Sequence, residues 1–279
     1  MPVPHDPPGS LTLESVPTAG AAAAVRRLRA SGEVHVWCWE MPARTDPDDL
    51  ALLGTQEYER VLSFHQERDA AAFVRSHAAA RRAVGELLGV PAAQIVFGRR
   101  DCPGCGDTGH GPPSVTRPAV PLAVSLSRTA GRGVLAVRAG TRVGVDIEAL
   151  RGIHSQDVVD MVTTEAERAV LQALTPGDER DRAFHRVWTR KEAVVKAVGV
   201  GLIGTELDEL DVRADLVGRV EVRHAFRGEH TLWAVEDLDV GPDWTASVAR
   251  PAATATGPVR LHPALPPVRP PSAAARRTR

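Results

Sequence analysis

The sequence predicts an α+β fold made of two similar α/β halves in one chain. Strand-like and helix-like segments come in two batches, and each batch has strands on both sides of its helices. The 279 residues are 43% hydrophobic and 25% charged, a composition typical of a globular protein large enough for two such halves. Both ends of the chain are rich in proline, which confines the predicted folded region to residues 33–250.

The first half is predicted to span residues 33–122. Its elements, in order, are a strand at 33–41, helices at 55–64 and 67–89, a strand at 93–99 and a Gly/Pro-rich loop at 101–121. The longer helix is rich in alanine, carries an apolar stripe and is followed by Gly89, a typical C-terminal cap. Residues 1–32 are predicted to be a disordered N-terminal extension, with at most a loose helix near 21–29.

The second half is predicted to span residues 123–250 and to contain the candidate site. Its elements, in order, are strands at 121–127, 133–139 and 142–148, helices at 163–174 and 177–199, and a meander of strands over 207–250. The Pro-rich, basic segment 251–279 cannot build a core and is predicted to be a disordered tail.

The charge balance and the hydropathy pattern exclude several classes of protein. Lys and Arg number 34 while Asp and Glu number 35, so the sequence predicts neither a nucleic-acid partner nor a polybasic membrane anchor. No apolar run approaches the roughly 20 residues that span a bilayer. The N-terminus lacks a basic start followed by an apolar stretch, so we expect a cytoplasmic protein. Two halves in one chain favour a monomer.

Two acidic residues end the otherwise apolar strand at 142–148. Asp146 and Glu148 are two positions apart, so their side chains project from the same face of the strand. Carboxylates held together raise each other's pKa unless a cation lies between them. The simpler interpretation is a strand end whose two acids are in water.

The helix predicted at 177–199 carries a second group of charges. Trp188, Glu192 and Lys196 follow each other at intervals of four residues and therefore form one stripe. Alone, this stripe is typical of a solvated Glu–Lys pair worth about 0.3–0.5 kcal/mol. The apolar face beside it consists of Val187, Ala193, Val194, Ala197 and Val198.

Together, the strand and the helix predict a metal site for a phosphate ester. Asp146, Glu148 and Glu192 supply the oxygen ligands that Mg²⁺ prefers, and Mg²⁺ usually completes its shell with water and substrate phosphate. Lys191 and Lys196, next to these acids, suit a pyrophosphate group.

The three cysteines are Cys38, Cys102 and Cys105, an odd and low number that argues against a disulfide framework. Cys102 and Cys105 have metal-ligand spacing and His110 follows them, but a structural zinc needs four ligands. The sequence therefore favours a Pro/Gly turn with two incidental thiols, with a metal site as the alternative.

The two-part motif resembles that of the 4′-phosphopantetheinyl transferases, in particular the larger, pseudodimeric class that activates carrier proteins of peptide and polyketide synthases. Their strand signature G-[IV]-D-x-E is matched by "GVDIE", and their helix signature W-x-x-K-E-[AS]-x-x-K-x-x-G-x-G-L by "WTRKEAVVKAVGVGL". The helix match extends through Gly199, Gly201 and Leu202. Weaker similarities lie in "VSLSRT", in "TTEAERAVL", where Glu167 takes the glutamate position, and in "CPGCGDTGHGPP".

The resemblance implies an enzyme that transfers the phosphopantetheine arm of coenzyme A to a serine of an apo acyl or peptidyl carrier protein, releasing 3′,5′-ADP. Asp146, Glu148 and Glu192 would hold Mg²⁺. Lys196 would stabilise phosphate charge, and either Glu192 or a metal-bound water would be the base. Trp188 would pack to fix the helix.

The coenzyme A pocket that the resemblance implies departs from the family pattern at three positions. Ala72 and Pro112 stand where the family has basic residues, and the family's Ser-His pair is Ser127–Arg128 here. Arg128 and Arg75 are expected to compensate in part. Loss of two charge-assisted hydrogen bonds predicts coenzyme A binding weaker by about 1–3 kcal/mol.

Two other functions remain open on the sequence. The departures at the coenzyme A pocket favour a non-catalytic relative that binds carrier proteins in a regulatory role, and the intact acidic set argues against it. An unrelated Mg²⁺-dependent phosphohydrolase would leave the Trp188–Lys196 pattern unexplained. For the transferase, residues 155–175 are the expected carrier surface, because Met161 and Val162 are too apolar for a solvated loop, unless both pack inward.

Overall fold

The computed structural model of the protein describes residues 19–140, 142–153, 155–201 and 205–263. The helices are α1 (Ala19–Ser31), α2 (Pro47–Leu50), α3 (Thr55–Leu62), α4 (Glu67–Leu88), α5 (Gln156–Val162), α6 (Glu165–Ala173) and α7 (Asp178–Val198). The strands are β1 (Val34–Glu40), β2 (Val96–Arg99), β3 (Pro113–Arg117), β4 (Leu122–Thr129), β5 (Arg132–Ala139), β6 (Gly144–Ala149), β7 (Arg219–Phe226), β8 (Glu229–Leu238), β9 (Trp244–Pro251) and β10 (Val259–His262).

The strands form two sheets, which confirms the predicted mixture of helices and sheets. A six-stranded sheet has the order β10-β1-β5-β4-β3-β2, and a four-stranded sheet has the order β6-β9-β8-β7. In each sheet the first strand pairs antiparallel with the last strand of the meander that follows, β1 with β5 and β6 with β9. The change of sheet falls between β5 and β6, beyond the half boundary predicted at residue 122.

The two ends of the described chain are ordered where the sequence predicted disorder. Helix α1 buries Ala21, Ala24, Val25 and Leu28 in the core of the first sheet. Strand β10 pairs in parallel with β1 and extends that sheet. The predicted disordered extension and tail are therefore wrong for 19–31 and 259–262, while residues 1–18 and 264–279 lie outside the described ranges.

Three further elements differ from the prediction. Strand β3 lies inside the predicted loop 101–121 and begins at Pro113, a position that a strand tolerates because proline lacks only the first N–H. Residues 156–162 form helix α5, which the sequence did not predict. The predicted first strand of the last meander is instead a single helical turn at Leu207–Glu209 followed by irregular chain.

A long helix covers each sheet, α4 the first and α7 the second. The backbone of α7 approaches the backbone of strand β6 closely. A Cβ atom at Gly144 would lie 1.8 Å from the carbonyl oxygen of Ala193 and 2.6 Å from the backbone nitrogen of Ala197. Only glycine allows this approach. The contact brings the end of β6, with its two acids, against the turn of α7 that carries Glu192 and Lys196.

Buried polar contacts fix the rotation of α7. The Arg190 guanidinium is buried and donates to the Asp237 carboxylate at 2.7 and 2.6 Å. The Thr189 hydroxyl lies 3.0 Å from that of Ser247 on β9. These contacts hold one side of α7 against the second sheet, so the stripe containing Trp188, Glu192 and Lys196 faces elsewhere.

Among the residues that the structure describes, no helix combines the length and the apolar character needed to cross a membrane.

Candidate functional site

The candidate site lies where the two sheets meet, between β4, β6 and α7. Alternate residues of β4 carry hydroxyl groups, and these contact β6. The Ser127 hydroxyl donates to Asp146 Oδ1 at 2.7 Å, and the Thr129 hydroxyl donates to Glu148 Oε2 at 3.0 Å. The Ser125 hydroxyl accepts from the backbone N–H of Val145 at 3.1 Å. The period of two in both strands therefore aligns the two acids with two hydroxyl donors.

Lys196 completes a compact cluster with these residues. Its ammonium donates to Asp146 Oδ1 at 2.6 Å and to the Ser127 hydroxyl at 2.9 Å. The Asp146 carboxyl is 4% exposed, whereas the Lys196 side chain is 28% exposed. The ammonium therefore lies at the boundary between a buried carboxylate and solvent, where a ligand can reach it.

Glu192 lies in the same environment and is 7% exposed. Burial raises the pKa of its carboxyl to about 7; Lys196 opposes this increase, while the Asp146 and Glu148 charges add to it. The structure thus brings together the three carboxylates and the lysine that the sequence selected.

The chemistry of these carboxylates fits a hard divalent cation. Asp146 Oδ2 is buried and has no hydrogen-bond partner among the described residues, and a cation would satisfy it. Burial raises the pKa of Glu192, and a cation would offset the repulsion from Asp146 and Glu148 that raises it further. The oxygen atoms of the three carboxylates are spaced more widely than the ligand atoms of one other cluster. Within the described ranges, only Cys102, Cys105 and His110 bring three ligand atoms within 4.8 Å of one another. Mg²⁺ is usually bound by only one or two carboxylates directly and fills its remaining positions with water and substrate phosphate.

Lys191 is not part of this cluster, which corrects the expectation that it binds phosphate. Its side chain is fully buried, and its ammonium lies 2.5 Å from Glu167 Oε2 and donates to the Leu207 carbonyl at 2.7 Å. Glu167 also accepts from the backbone N–H of Val212 and closes the capping box of α6 with Thr164. Lys191 directly precedes Glu192 and therefore lies on a different side of α7. It connects α7 to α6 and does not face the carboxylate cluster.

Replacing Glu167 with Gln is expected to destabilise the protein by about 3–5 kcal/mol, because it leaves the buried Lys191 ammonium without its counter-charge. Chemical denaturation measures this loss. The double variant Glu167→Gln/Lys191→Met removes both charges and is expected to recover part of it. A single variant within about 1 kcal/mol of the parent would show that the pair contributes no more than a surface ion pair.

A cavity of about 270 Å³ opens beside Glu148. Trp188 borders it and also packs against the apolar cluster of Val162 and Leu171, so its predicted packing role is confirmed. Val158 of α5 reaches the same cavity. Of the two apolar residues singled out for docking, Met161 is 68% exposed whereas Val162 is buried.

The residues expected near a nucleotide are distributed differently from the prediction. Arg128 is exposed on β4, beside Ser127. Arg75 is buried, with its guanidinium 3.4 Å from Asp49 Oδ2, which corrects its expected role as a compensating cation. Pro112 packs at the C-terminal end of α7, where a Cβ atom at Gly199 would lie 3.0 Å from its ring. Leu202 of the helix motif lies outside the described residues.

A second cavity, of about 260 Å³, lies between α4, β3 and β4. Its lining includes a positively charged side chain, Arg99, that the sequence analysis did not single out. Arg99 lines this cavity together with His77, Pro113 and Ser125. The Arg99 guanidinium donates to the carbonyl of Gly111, next to Pro112. Thr129, which holds Glu148, was missed as well. The alternating hydroxyls of β4 were the signal for Thr129, whereas Arg99 carried no recognisable pattern.

Comparison with known proteins gives a consistent result. A family model described as the 4′-phosphopantetheinyl transferase superfamily matches residues 142–249. The chain is 27% identical to 4′-phosphopantetheinyl transferase HetI of Nostoc sp. over 187 residues, which cover 65% of this chain and 74% of HetI. It is 22% identical to 4′-phosphopantetheinyl transferase Sfp of Bacillus subtilis over 199 residues, or 71% of this chain and 82% of Sfp. The family match includes Asp146, Glu148, Glu192 and Lys196.

Proposed function

We propose that the protein is a member of the 4′-phosphopantetheinyl transferase superfamily, whose family model matches residues 142–249, and that it transfers the 4′-phosphopantetheine arm of coenzyme A to a serine of an acyl or peptidyl carrier protein. The observation that carries this proposal is the cluster of Asp146, Glu192 and Lys196. The buried Oδ2 of Asp146, which has no hydrogen-bond partner among the described residues, suits a cation, and the partly exposed ammonium of Lys196 suits a phosphate group. Conversion of an apo carrier protein by the purified enzyme, followed by intact mass spectrometry, tests it.

In the proposed reaction, the serine hydroxyl oxygen of the carrier forms a bond to the phosphorus that bears the pantetheine arm. The bond from that phosphorus to the oxygen bridging it to the nucleotide breaks, and 3′,5′-ADP leaves with the bonding electron pair. The serine proton passes to a carboxylate of the enzyme. Most of the rate enhancement then comes from positioning and from neutralising charge.

Asp146, Glu148 and Glu192 are the proposed ligands of Mg²⁺. When bound, the cation would polarise the phosphoryl oxygens. Ser127 and Thr129 orient the first two carboxylates through their hydrogen bonds, as partners outside a metal's own ligands commonly do.

Glu192 is the proposed base. A carboxylate has two oxygens, so the same side chain can serve a cation and accept a proton. Burial raises its pKa to about 7. A general base is most effective when its pKa lies near the working pH, because it is then largely ionised and still basic enough to accept a proton. Lys196, whose ammonium is partly exposed beside Asp146, is proposed to donate to a phosphate oxygen and to stabilise the charge that develops there.

The nucleotide part of coenzyme A is proposed to lie beside Arg128 of β4 and Arg99 at the end of β2. Both cations are exposed, and Arg99 lines the cavity between α4 and β4. Planar guanidinium groups bind phosphate oxygens in pairs, so these two can replace part of the positive charge that is missing at Ala72 and Pro112.

Restoring both cations, in the variant Ala72→Arg/Pro112→Lys, is expected to strengthen coenzyme A binding by about 1–3 kcal/mol, the worth of two charge-assisted hydrogen bonds. An ammonium at residue 112 also lies at the C-terminal end of α7, where the helix dipole favours a cation. Isothermal titration calorimetry measures the change. Ala173→Lys, on the exposed face of α6, adds charge elsewhere and serves as control; equal affinities for the double variant and the parent would refute the assignment.

The carrier protein is proposed to dock on α5. Val158 and Met161 are three residues apart, both are exposed, and Val158 borders the cavity next to Glu148. Arg151 lies at the same cavity and offers positive charge to an acidic carrier helix.

Met161→Glu is expected to raise KM for the carrier at least about fivefold, the effect of an interface residue worth more than 1 kcal/mol, and to leave KM for coenzyme A unchanged. Steady-state kinetics with each substrate varied in turn measures both constants. Val217→Glu places the same charge at another exposed apolar residue and is expected to change neither. A parallel rise in both constants for Met161→Glu would mean that the substitution disturbs the fold of α5.

We also propose that the chain belongs to the larger, pseudodimeric class of the family. Each sheet starts with a strand that pairs with the last strand of the following meander, and each is covered by one long helix, α4 or α7. The site then lies between the halves and needs only one chain.

A further inference from the structure

The loop between β2 and β3 contains a second cluster of metal-ligand side chains, separate from the carboxylates. The ligand atoms of Cys102, Cys105 and His110 all lie within 4.8 Å of one another. Cys105 Sγ is 3.2 Å from His110 Nε2. The proposed transfer reaction uses none of these three side chains.

The backbone around the two cysteines forms a tight turn that presents both sulfurs to the same side. The Cys102 N–H donates to the Asp107 carbonyl at 2.9 Å, and the Gly106 N–H donates to the Cys102 carbonyl at 2.8 Å. Gly106 has φ +79°, in the left-handed region that favours glycine. Backbone N–H groups of Cys105 and Gly104 also point at Cys102 Sγ and lower the pKa of its thiol, as suits a metal-binding thiolate.

The histidine is oriented as a metal ligand by a neighbouring carboxylate. His110 Nδ1 lies 3.4 Å from Asp107 Oδ2, while its Nε2 faces the sulfur of Cys105. Asp107 is itself fixed by the Gly109 N–H, which donates to Oδ1 at 2.6 Å. Metal-binding histidines regularly have a carboxylate beside the ring nitrogen that does not bind the metal.

We propose that Cys102 Sγ, Cys105 Sγ and His110 Nε2 bind one Zn²⁺ ion, with water in the fourth position. Two thiolates and an imidazole are donors that zinc prefers over Mg²⁺, which takes oxygen ligands. The site is therefore chemically distinct from the carboxylate cluster, and it does not depend on the proposed transferase activity.

The ion would fasten this loop of the first sheet to the end of α7. Arg227, in the β7–β8 turn, donates to the Gly104 carbonyl, and Gly104 lies beside Val200. A Cβ atom at Gly199 would lie 3.5 Å from Pro103 and 3.0 Å from Pro112. These contacts place the turn that would bind zinc about one helical turn beyond Lys196. The metal would therefore fix the position of Pro112 at the C-terminal end of α7 without contacting a reacting atom.

Metal analysis of the purified 279-residue chain, expressed with zinc and dialysed, tests the proposal. About one zinc per chain is expected, and this zinc is expected to be lost in Cys105→Ala and in His110→Ala. Cys38→Ala is the matched control, because that thiol is buried on β1, where burial raises its pKa to about 11, and it is expected to keep the metal. Glu192→Gln is expected to keep it as well.

Cobalt substitution provides a second measurement on the unaltered chain. Co²⁺ in the zinc-stripped protein is expected to give thiolate-to-metal charge-transfer absorption, which oxygen ligands do not produce. Absence of zinc and of this absorption in the parent protein would overturn the proposal. Retention of the full metal content in both Cys105→Ala and His110→Ala would overturn it too. Because neither readout involves carrier modification, a failure of the transferase proposal leaves the outcome unaffected.

Discussion

Replacing Glu192 with Gln is expected to lower kcat for arm transfer by about 10²–10⁴-fold, the usual contribution of a general base. The substitution preserves the size of the side chain, so packing of α7 against β6 is retained. Stopped-time assays with intact-mass readout of the carrier measure the loss. The pH profile gives a second signature. Below the pKa of Glu192, which burial raises to about 7 and a bound cation would lower, the carboxyl keeps its own proton and cannot accept that of the serine.

The decline of kcat at acidic pH is therefore expected in the parent and absent in Glu192→Gln. Glu59→Gln removes the same charge from an exposed residue of α3 and is expected to leave kcat unchanged. A Glu192→Gln enzyme with more than a tenth of the parent kcat would mean that this carboxylate is neither the base nor an essential ligand.

Replacing Asp146 with Asn is expected to weaken binding of the divalent cation by more than the roughly 10–100-fold that loss of an outer-shell partner costs. The side chain keeps its shape, but it loses the charge that Oδ2 offers to a cation and that Oδ1 offers to Lys196. Titration of Mn²⁺ in the absence of substrates, followed by electron paramagnetic resonance, measures this affinity without depending on transfer. The concentration of Mg²⁺ needed for half-maximal transfer is expected to rise in parallel.

Asp178→Asn is the control for this variant, because it removes an exposed carboxylate from the first turn of the same helix. Its cation affinity is expected to match that of the parent. Unchanged Mn²⁺ affinity in Asp146→Asn would contradict the assignment of this residue as a ligand, and the cluster with Lys196 would then be a structural ion pair.

Regular patterns in the sequence predicted the elements that build the site. The alternation in β6 and the four-residue interval in α7 selected Asp146, Glu148, Glu192 and Lys196, and the structure brings these four together. Both patterns show which residues project from the same face of a strand or helix. A site between two elements is built from the residues on their facing sides, so these patterns can predict it.

The same patterns failed where a tertiary partner decides the outcome. The sequence offered Lys191 as a charge near Glu192, but only the packing of α6 on α7 shows that Glu167 neutralises it. Helix α1 was predicted only as a loose helix near 21–29, and strand β10 was missed. Their segments are short and rich in Ala or Pro, and both depend on contacts with the first sheet. The sequence favoured incidental cysteines because it offered only three of the four ligands of a structural zinc, whereas the structure shows that the ligand atoms of Cys102, Cys105 and His110 lie within 4.8 Å of one another.

The central claim is tested most directly by weighing a carrier protein. The purified enzyme is mixed with coenzyme A, MgCl₂ and an apo carrier protein, and the carrier is analysed by intact mass spectrometry. We predict a gain of one phosphopantetheine arm, which disappears with EDTA and in Glu192→Ala. No gain with several carriers, beside a control enzyme that modifies them, would contradict the account and would favour a non-catalytic relative that has lost coenzyme A through the changes at Ala72, Pro112 and Arg128.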